Sequence, residues 1–348
     1  MDRDDITLLL DTAERWFAEH APLAQRVAAF RVGQHEPEGA WAGFARMGWL
    51  ALTLPEAQGG FDAGARAAFE LLRRAGRDAR PEPLGLHLLL APAVAASLPE
   101  LAQPLAEGTV RLAMANLPHD GRRAQWDGAA LSGEGWSVEG IEHATHVLVP
   151  LPSADGSGGD LRLVDLAAAG VGRVRARFVD GRVTEILSLY GVQARAAGNA
   201  GRALDLAAAA QVADASGVFE SAFEMTLDYL KQRVQFGRPL SIQQTLQHRM
   251  ADVFCDLQQQ LALAERLAAE IEAAPEGPWP TLPIAKSFVG RRVLRGVGAL
   301  IQVSGGVAVT EEYRLSHLYR RLHVAAQIHG DAESQLARID VRRTLLAA

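Results

Sequence analysis

The segment "RVQFGRPLSIQQTLQHRMAD", residues 233–252, connects two stretches that both have the apolar periodicity of long α-helices. In residues 207–232 and again in residues 246–271, apolar side chains recur at steps of three and four positions. Gly237 and Pro239 in the connection are typical of a helix end followed by a turn. The sequence therefore predicts two long helices joined by a short connection, which carries more polar side chains than a turn requires.

The side chains of this connection include groups that bind anionic, flat ligands. The guanidinium groups of Arg233 and Arg238 can form forked hydrogen bonds to a phosphate, and Phe236 can stack on an aromatic ring. The alternative is a plain capped helix end, because arginine also favours the C-terminus of a helix. From these residues alone, the connection is either a phosphate-binding element or a turn.

The rest of the chain divides into three parts. Residues 1–107 have mainly helical patterns, residues 108–203 contain short β-type runs between Gly, Asp and Ser, and residues 204–348 are helical again. The β-type runs predict six to eight antiparallel strands, and the last part predicts a bundle of four or five helices. We therefore expect an α+β, mainly α, protein with an N-terminal helical domain, a middle antiparallel β domain and a C-terminal helical bundle.

Composition and charge argue against several classes of protein. The chain has 348 residues, of which 49% are hydrophobic and 22% charged, and its net charge of -6 comes with basic residues spread along the chain. This pattern argues against nucleic acid as the main partner. Cys255 is the only cysteine, so an internal disulfide is impossible, and no Cys/His cluster has the spacing of a metal site. Without a signal-type N-terminus or an unbroken apolar run of about 18 residues, we expect a cytoplasmic protein that does not span a membrane.

A second candidate segment is "IQVSGGVAVTEEYRLSHLYRR", residues 301–321. Its Gly305–Gly306 pair ends one helix, and paired glycines let a ligand approach the backbone closely. The amide of Gln302 can form hydrogen bonds to an adenine or ribose edge. No strand precedes the pair and the GxGxxG spacing is absent, so the segment is not a Rossmann phosphate loop. The alternative is a helix C-cap that binds no ligand.

A third candidate lies in "AAQIHGDAESQLAR", residues 325–338. His329, Asp331 and Glu333 fall within five residues, and such a group can supply acid–base chemistry. Asp331 is also a good N-cap for a final helix, since Ser334 follows three residues later. These residues leave both interpretations open.

In this order and spacing, the three stretches resemble the acyl-CoA dehydrogenase family, and the resemblance covers nearly the whole chain. "FARMGWLALTLPEAQGGF" (44–61) is similar to the family's Gly-Trp…Pro-Glu…Gly-Gly segment, and "RVQFGRPLSIQQ" (233–244) to its Arg-x-x-Phe-Gly…Gln signature. "QVSGGVAVTEEYRLSHLYRR" (302–321) is similar to its Gln-x-x-Gly-Gly-x-x-x-Thr-x-Glu-Tyr segment. The order of helices, strands and helices is also the architecture of that family.

The resemblance implies FAD bound at a subunit interface, an acyl-CoA substrate and an electron-transfer acceptor. In the family, a carboxylate removes the α-proton of the thioester while hydride passes from the β-carbon to flavin N5. By position, the residues implied to contact the diphosphate and adenine part of a neighbouring subunit's FAD are Arg233, Gln235, Phe236, Gln244, Gln302, Gly305 and Gly306.

The carboxylate base of the family has no counterpart at its usual position. That Glu lies 23 residues after the Gly–Gly pair, where this chain has His329, and at the family's alternative position this chain has Ala207. Asp331 or Glu333 would replace the base only if the loop shifts by a few residues. The segments that hold the flavin ring in the family, Thr-Glu-Pro…Gly-Ser-Asp and Trp-Ile-Thr, are "MANLPHDG" and "VEGIEHATH" here.

This combination resembles the shorter, base-lacking subunits of heteromeric acyl-CoA dehydrogenases that act on steroid side-chain CoA thioesters. We therefore predict a flavoprotein subunit that adds the Arg233–Phe236 edge to FAD held mainly by a catalytic partner chain, in a dimer or tetramer. Two alternatives stay open: a self-sufficient homo-oligomer with Asp331 or Glu333 as base, and a non-catalytic scaffold subunit that has lost FAD.

Overall fold

The computed structural model describes residues 3–20, 38–116, 124–153 and 158–339. These residues divide into two compact units. The first unit contains the described parts of residues 1–8, 33–68 and 81–210, and the second contains those of residues 9–32, 69–80 and 211–348. The predicted division into domains 1–107, 108–203 and 204–348 stays a prediction.

Helices fill the N-terminal part of the chain, as its apolar periodicity predicts. They are α1 (Arg3–Glu19), α2 (Glu38–Arg46), α3 (Gly64–Arg77), α4 (Leu84–Ser97) and α5 (Ala102–Ala106). α4 is apolar on nearly every side, and a helix of that composition is stable in a protein only when it is buried on all sides. Accordingly, its Leu86, Leu88 and Leu90 side chains are almost completely buried.

Among the described residues, eight strands of the first unit form one sheet. They are β1 (Leu112–Ala115), β2 (Gln125–Trp126), β3 (Leu131–Glu139), β4 (His146–Pro152), β5 (Gly159–Asp165), β6 (Val171–Arg177), β7 (Val183–Val192) and β8 (Arg195–Asn199). The strand order is β6-β7-β3-β1-β4-β5-β8, and β2 pairs with β3. β1 and β4 run parallel, while the other pairs are antiparallel. The sheet is therefore mixed, whereas the sequence analysis expected antiparallel strands throughout.

Alternate residues of these strands build the core of the first unit. Trp136, Val138, Leu187, Leu189 and Val147 belong to one buried apolar cluster. Their spacing is the two-residue period of strands that bury one face. The eight strands of this sheet confirm the prediction of six to eight strands.

The second unit is helical, in the predicted order. Its helices are α6 (Ala200–Gln232, which begins in the first unit), α7 (Gln244–Ala273), α8 (Thr281–Phe288), α9 (Leu294–Ser304), α10 (Arg314–Gln327) and α11 (Ala332–Ala337). A π-helical turn, Val289–Val293, joins α8 to α9. α7 contains the whole predicted stretch 246–271, because its apolar side chains keep a helical period throughout.

Two buried polar contacts join α6 to its neighbours in the second unit. Arg321 of α10 forms a two-pronged ion pair with Asp214 of α6, with N···O distances of 2.9 and 3.0 Å. The side-chain amide of Gln260 in α7 donates to the hydroxyl of Ser216 in α6 at 3.0 Å. Because a buried charge or amide is costly without its partner, these contacts fix how α6, α7 and α10 pack.

One described helical run, Thr281–Val309, is long and apolar enough to cross a membrane by length and composition. In its most apolar window, 39% of the residues are buried inside the protein. The core helix of a soluble protein meets the same criteria, and this run is interrupted by the charged residues Lys286, Arg291 and Arg292. The expectation of a protein that does not span a membrane stays a prediction.

Candidate functional site

The connection between α6 and α7 is a small β-hairpin. Its strands, β9 (Val234–Gln235) and β10 (Arg238–Pro239), pair antiparallel, with Gln235 opposite Arg238. The two turn residues, Phe236 and Gly237, have φ angles of 54° and 75°. Positive φ at both positions is the geometry of a type I′ turn, which closes two-residue hairpins. Glycine adopts this conformation at no cost, whereas phenylalanine is strained in it, and such strain is characteristic of functional positions.

The hairpin presents its side chains to solvent. Phe236 is 95% exposed, which is unusual for a large aromatic side chain. Arg233 is exposed as well, and its guanidinium makes no hydrogen bond or ion pair with any residue that the structure describes. Gln244, the first residue of α7, is also exposed, while the amide of Gln235 donates to the neighbouring Val234 carbonyl at 2.8 Å. The predicted ligand-binding groups of the hairpin are thus available to a molecule outside this chain.

The Gly–Gly pair begins the connector, which we define as residues 305–313 between α9 and α10. Gly305 follows α9 with φ 74° and ψ -159°, and a 3-10 turn continues from Gly305 to Val309. A Cβ built on Gly305 or Gly306 would meet no described atom within 4 Å. The space beside both glycines is therefore open for an external group, and Gln302 is exposed in the last turn of α9.

An aromatic contact links the hairpin to the connector. The rings of Tyr229, in the last turn of α6, and Tyr313, at the end of the connector, meet edge to face with centroids 6.0 Å apart. The carbonyl of Tyr229 accepts a hydrogen bond from the Arg233 amide at 2.8 Å, at the base of the hairpin. α10 begins at Arg314, directly after Tyr313. The two segments predicted to bind one cofactor are therefore joined in the same unit.

The exposed groups of these two segments fit the adenine and diphosphate part of FAD. A guanidinium forms two parallel hydrogen bonds with a phosphate, and glutamine amides both donate to and accept from adenine or ribose. Open space at paired glycines allows the ligand to reach the backbone. Within the described residues, no cluster of three His, Cys, Asp or Glu side chains could hold a metal.

The loop that carries the third candidate is a tight turn held from two sides. His329 and Gly330 have φ angles of 56° and 95°, and His329 is only 8% exposed. The completely buried ammonium of Lys286 donates to the Gly330 carbonyl at 2.7 Å and to the Ala326 carbonyl at 3.3 Å. On the other side, the Gln335 amide donates to the His329 carbonyl at 3.3 Å. The position of the family's base is therefore occupied by an interior histidine.

Lys286 is a residue that the sequence analysis missed. The signal was present, because this lysine is one of only two in the chain and lies within the apolar run "LPIAKSFVG". A lysine in an apolar helix is buried only when oxygen atoms are placed to accept its hydrogen bonds. The carbonyls of Ala326, in the last turn of α10, and of Gly330, in the loop, accept these hydrogen bonds.

Both carboxylates of the loop have structural partners. Asp331 caps α11, since its side chain accepts from the Ser334 amide at 2.8 Å, and the N-cap interpretation is confirmed. Glu333 pairs with Arg291 of the π-helical turn at 2.5 Å. Ala207, at the family's alternative base position, is buried in α6. A catalytic role for Asp331 or Glu333 stays a prediction.

The altered flavin-ring segments include a buried ion pair. Glu139, at the end of β3, lies 3.2 Å from Nη1 of Arg182, and Nε of the same guanidinium lies 2.7 Å from Asp180. Residues 117–121 of "MANLPHDG" lie outside the described residues, whereas Asn116 donates to the backbone of Ser137 at 3.2 Å. Sequence reasoning did not find this ion cluster, because its members come from separate strands and turns.

Comparisons with known proteins agree with this geometry. The family models for the acyl-CoA dehydrogenase N-terminal and C-terminal domains match residues 3–95 and 191–343. The acyl-CoA dehydrogenase IpdE2 of Mycolicibacterium smegmatis is 31% identical over 136 residues, which are 39% of this chain and 42% of that protein. The chain thus matches about two fifths of the length of that relative.

Two solved structures have the same fold along their whole length. A variant of the Tcur3481-Tcur3483 steroid ACAD is 30% identical, with a TM-score of 0.88 and coverage of 99% of both chains. The ChsE4-ChsE5 complex from Mycobacterium tuberculosis is 21% identical, with a TM-score of 0.86 and coverage of 100% of this chain and 99% of that chain. From its fold, its two matched domains and this likeness, the chain belongs to the acyl-CoA dehydrogenase family.

Proposed function

We propose that this chain is a cytoplasmic subunit of a heteromeric acyl-CoA dehydrogenase that acts on a steroid side-chain CoA thioester. In this proposal it supplies one edge of an interface FAD site, and a related partner chain supplies the base. The observation that carries the proposal is a contrast within the second unit. Phe236 of the hairpin is exposed, whereas the position of the family's base holds the interior residue His329.

At the described positions where the family or the sequence motif would place a base, the side chains are held by other contacts. A general base must come within hydrogen-bond reach of the proton that it removes. His329 is 8% exposed in a strained turn, and Asp331 is engaged as the cap of α11. Glu333 is exposed but paired with Arg291. A carboxylate from another chain would act as the general base and leave these contacts intact.

This chain also has residues that would hold part of the cofactor. FAD, when bound, accepts the hydride from the β-carbon of the thioester. Arg233 would bind its diphosphate. The adenine side would be contacted by Phe236 and by the amides of Gln235, Gln244 and Gln302, with the connector glycines beside them. Glu139, in a segment that holds the flavin ring in the family, is instead paired with Arg182, which also pairs with Asp180. This chain therefore supports the adenine end of a cofactor better than its ring.

The substrate class follows from the relatives. The solved structure that is 30% identical is described as a steroid ACAD and names two proteins, and IpdE2 is an acyl-CoA dehydrogenase. Their names support a steroid-derived acyl-CoA as substrate and a related chain as partner. Electrons would leave the reduced flavin through a separate electron-transfer acceptor.

Expression of this chain alone and together with a related chain that retains the base tests the proposal. We expect FAD binding and acyl-CoA-dependent dye reduction only from the pair. Arg233→Gln in the pair should lower FAD content, whereas Arg266→Gln, at an exposed ion-paired site on α7, is the matched control and should not. Full dye reduction by the chain alone would contradict the proposal.

A further inference from the structure

We propose that His317 and Arg320 of α10 are positioning residues that fix the connector for the cofactor. The connector, residues 305–313, begins with Gly305 and Gly306. This inference rests on the proposed function, because it takes the connector as part of the FAD site.

His317 lies between two partners of opposite kind. Its Nε2 is 2.9 Å from the backbone oxygen of Glu311, and its Nδ1 is 2.9 Å from a guanidinium nitrogen of Arg320. A carbonyl only accepts a hydrogen bond and a guanidinium only donates one, so these partners assign the ring proton to Nε2. The ring therefore ties the backbone of the connector to α10.

Arg320 holds the same connector residue through its side chain. Its guanidinium forms two contacts with the carboxylate of Glu311, at 3.0 and 3.1 Å. The side chains of Arg320 and His317 are 28% and 12% exposed, whereas that of their shared partner Glu311 is 53% exposed. The Arg320 guanidinium thus binds the carboxylate of Glu311. It also donates to the His317 ring, which in turn binds the backbone oxygen of Glu311.

Further contacts secure the rest of the connector. The Ser316 hydroxyl lies 3.0 Å from the Thr310 carbonyl and 3.1 Å from the Tyr313 carbonyl. Ala308 is completely buried, whereas Val309 beside it is 69% exposed. The side chains of α10 therefore hold Thr310, Glu311 and Tyr313 of the connector, and the buried Ala308 anchors its middle.

Rigidity in this segment has a consequence for binding. A loop that is already ordered loses less conformational freedom when a ligand binds, and its affinity is correspondingly higher. The glycine pair has no side chain to hold it in place, so its position depends on the anchors on either side. Loss of the His317 contacts should therefore weaken FAD binding without removing any group that touches FAD.

The test uses the assembled complex of this chain with its base-carrying partner. His317→Phe removes both hydrogen bonds of the ring, and we expect FAD to dissociate with a Kd raised about tenfold, measured from the fluorescence of released FAD. His317→Gln retains one donor and one acceptor and should restore affinity to within about threefold of the original. His323→Phe is the matched control, because this histidine of α10 packs on Tyr319 instead of the connector.

The outcomes separate this inference from the proposed function. If the unsubstituted complex binds FAD and Arg233→Gln weakens it, but His317→Phe does not, the positioning role is wrong and the proposed function stands. If the unsubstituted complex takes up no FAD, the proposed function itself fails. If the His317→Phe complex does not assemble, Arg320→Gln replaces it in the test, because this substitution removes the ion pair to Glu311. The same rise of about tenfold in the Kd for FAD is then expected.

Discussion

The ammonium of Lys286 donates a hydrogen bond of 2.7 Å to the carbonyl of Gly330, next to the residue that replaces the family's base. This contact joins α8 to the turn before α11 from the interior of the second unit. Lys286→Met would leave the Gly330 and Ala326 carbonyls without their donor. We expect the free energy of unfolding to fall by about 1–3 kcal/mol, measured by urea denaturation.

The other lysine of the chain provides the control for this prediction. Lys231 is 58% exposed near the end of α6, and Lys231→Met should change the unfolding free energy by less than about 0.5 kcal/mol. Equal effects of the two substitutions would contradict a special role for Lys286.

His87 should make the protein acid-sensitive. It is completely buried on α4 beside Trp41, and burial lowers its pKa from 6.5 to about 4, although the carbonyls of Leu105 and Leu50 offset part of the shift. Between these pH values the unfolded chain binds a proton that the folded chain does not. Stability is therefore fully present above about pH 6.5 and falls by roughly 3 kcal/mol as the pH drops to about 4.

The variant His87→Leu tests this origin of acid sensitivity. It removes the titrating group, so the urea midpoint should depend less on pH between 4 and 6.5 than in the unsubstituted protein. An unchanged pH dependence would show that another group is responsible.

Asp331 can be tested as a cap and as a base separately. Asparagine is as good an N-cap as aspartate but cannot act as a general base at neutral pH. In the assembled complex, Asp331→Asn should therefore leave anaerobic flavin bleaching by acyl-CoA unchanged. Asp331→Ala should cost about 1 kcal/mol of stability through the lost cap to Ser334. Loss of bleaching with Asp331→Asn would instead favour the self-sufficient alternative.

Phe236 should matter for binding and not for the stability of the chain alone. Glycine relieves the strain at a φ of 54°, but it also adds freedom to the unfolded chain, and these effects oppose each other. Phe236→Gly should therefore change the stability of the lone chain by less than about 1 kcal/mol. Its FAD affinity in the complex should fall, by titration with FAD, whereas Val174→Ala, at a 66% exposed residue of β6, should have no effect on that affinity. Unchanged affinity with Phe236→Gly would remove the hairpin from the site.

Much of the fold could be predicted because its signals are local. The helical period of residues 246–271 and the short β-type runs that became β3 and β5 each arise within one element. The parallel pairing of β1 with β4 could not be predicted, because it depends on partners more than 30 residues apart in sequence. The start of α6 was also missed: the helix begins at Ala200 and not at residue 207, and the side-chain oxygen of Asn199 caps it by accepting from the Arg202 amide at 2.9 Å.

The candidate site divides in the same way. A short polar connection between two long helices, the Gly–Gly pair and His329 at the counted position of the family's base follow from motifs and spacing along the chain. The β-hairpin form of that connection was not predicted. The burial of His329 and the pairing of Glu333 with Arg291 do not, since they depend on packing between distant segments. The Lys286 contact likewise joins residues 44 positions apart.

The central claim is that the base comes from the partner chain and not from this one. The most direct measurement uses the complex in which the partner's catalytic carboxylate is replaced by its amide, while this chain is unchanged. We predict that this complex still binds FAD but that acyl-CoA no longer bleaches the flavin under anaerobic conditions. Bleaching at the original rate would place the base in this chain and contradict the claim.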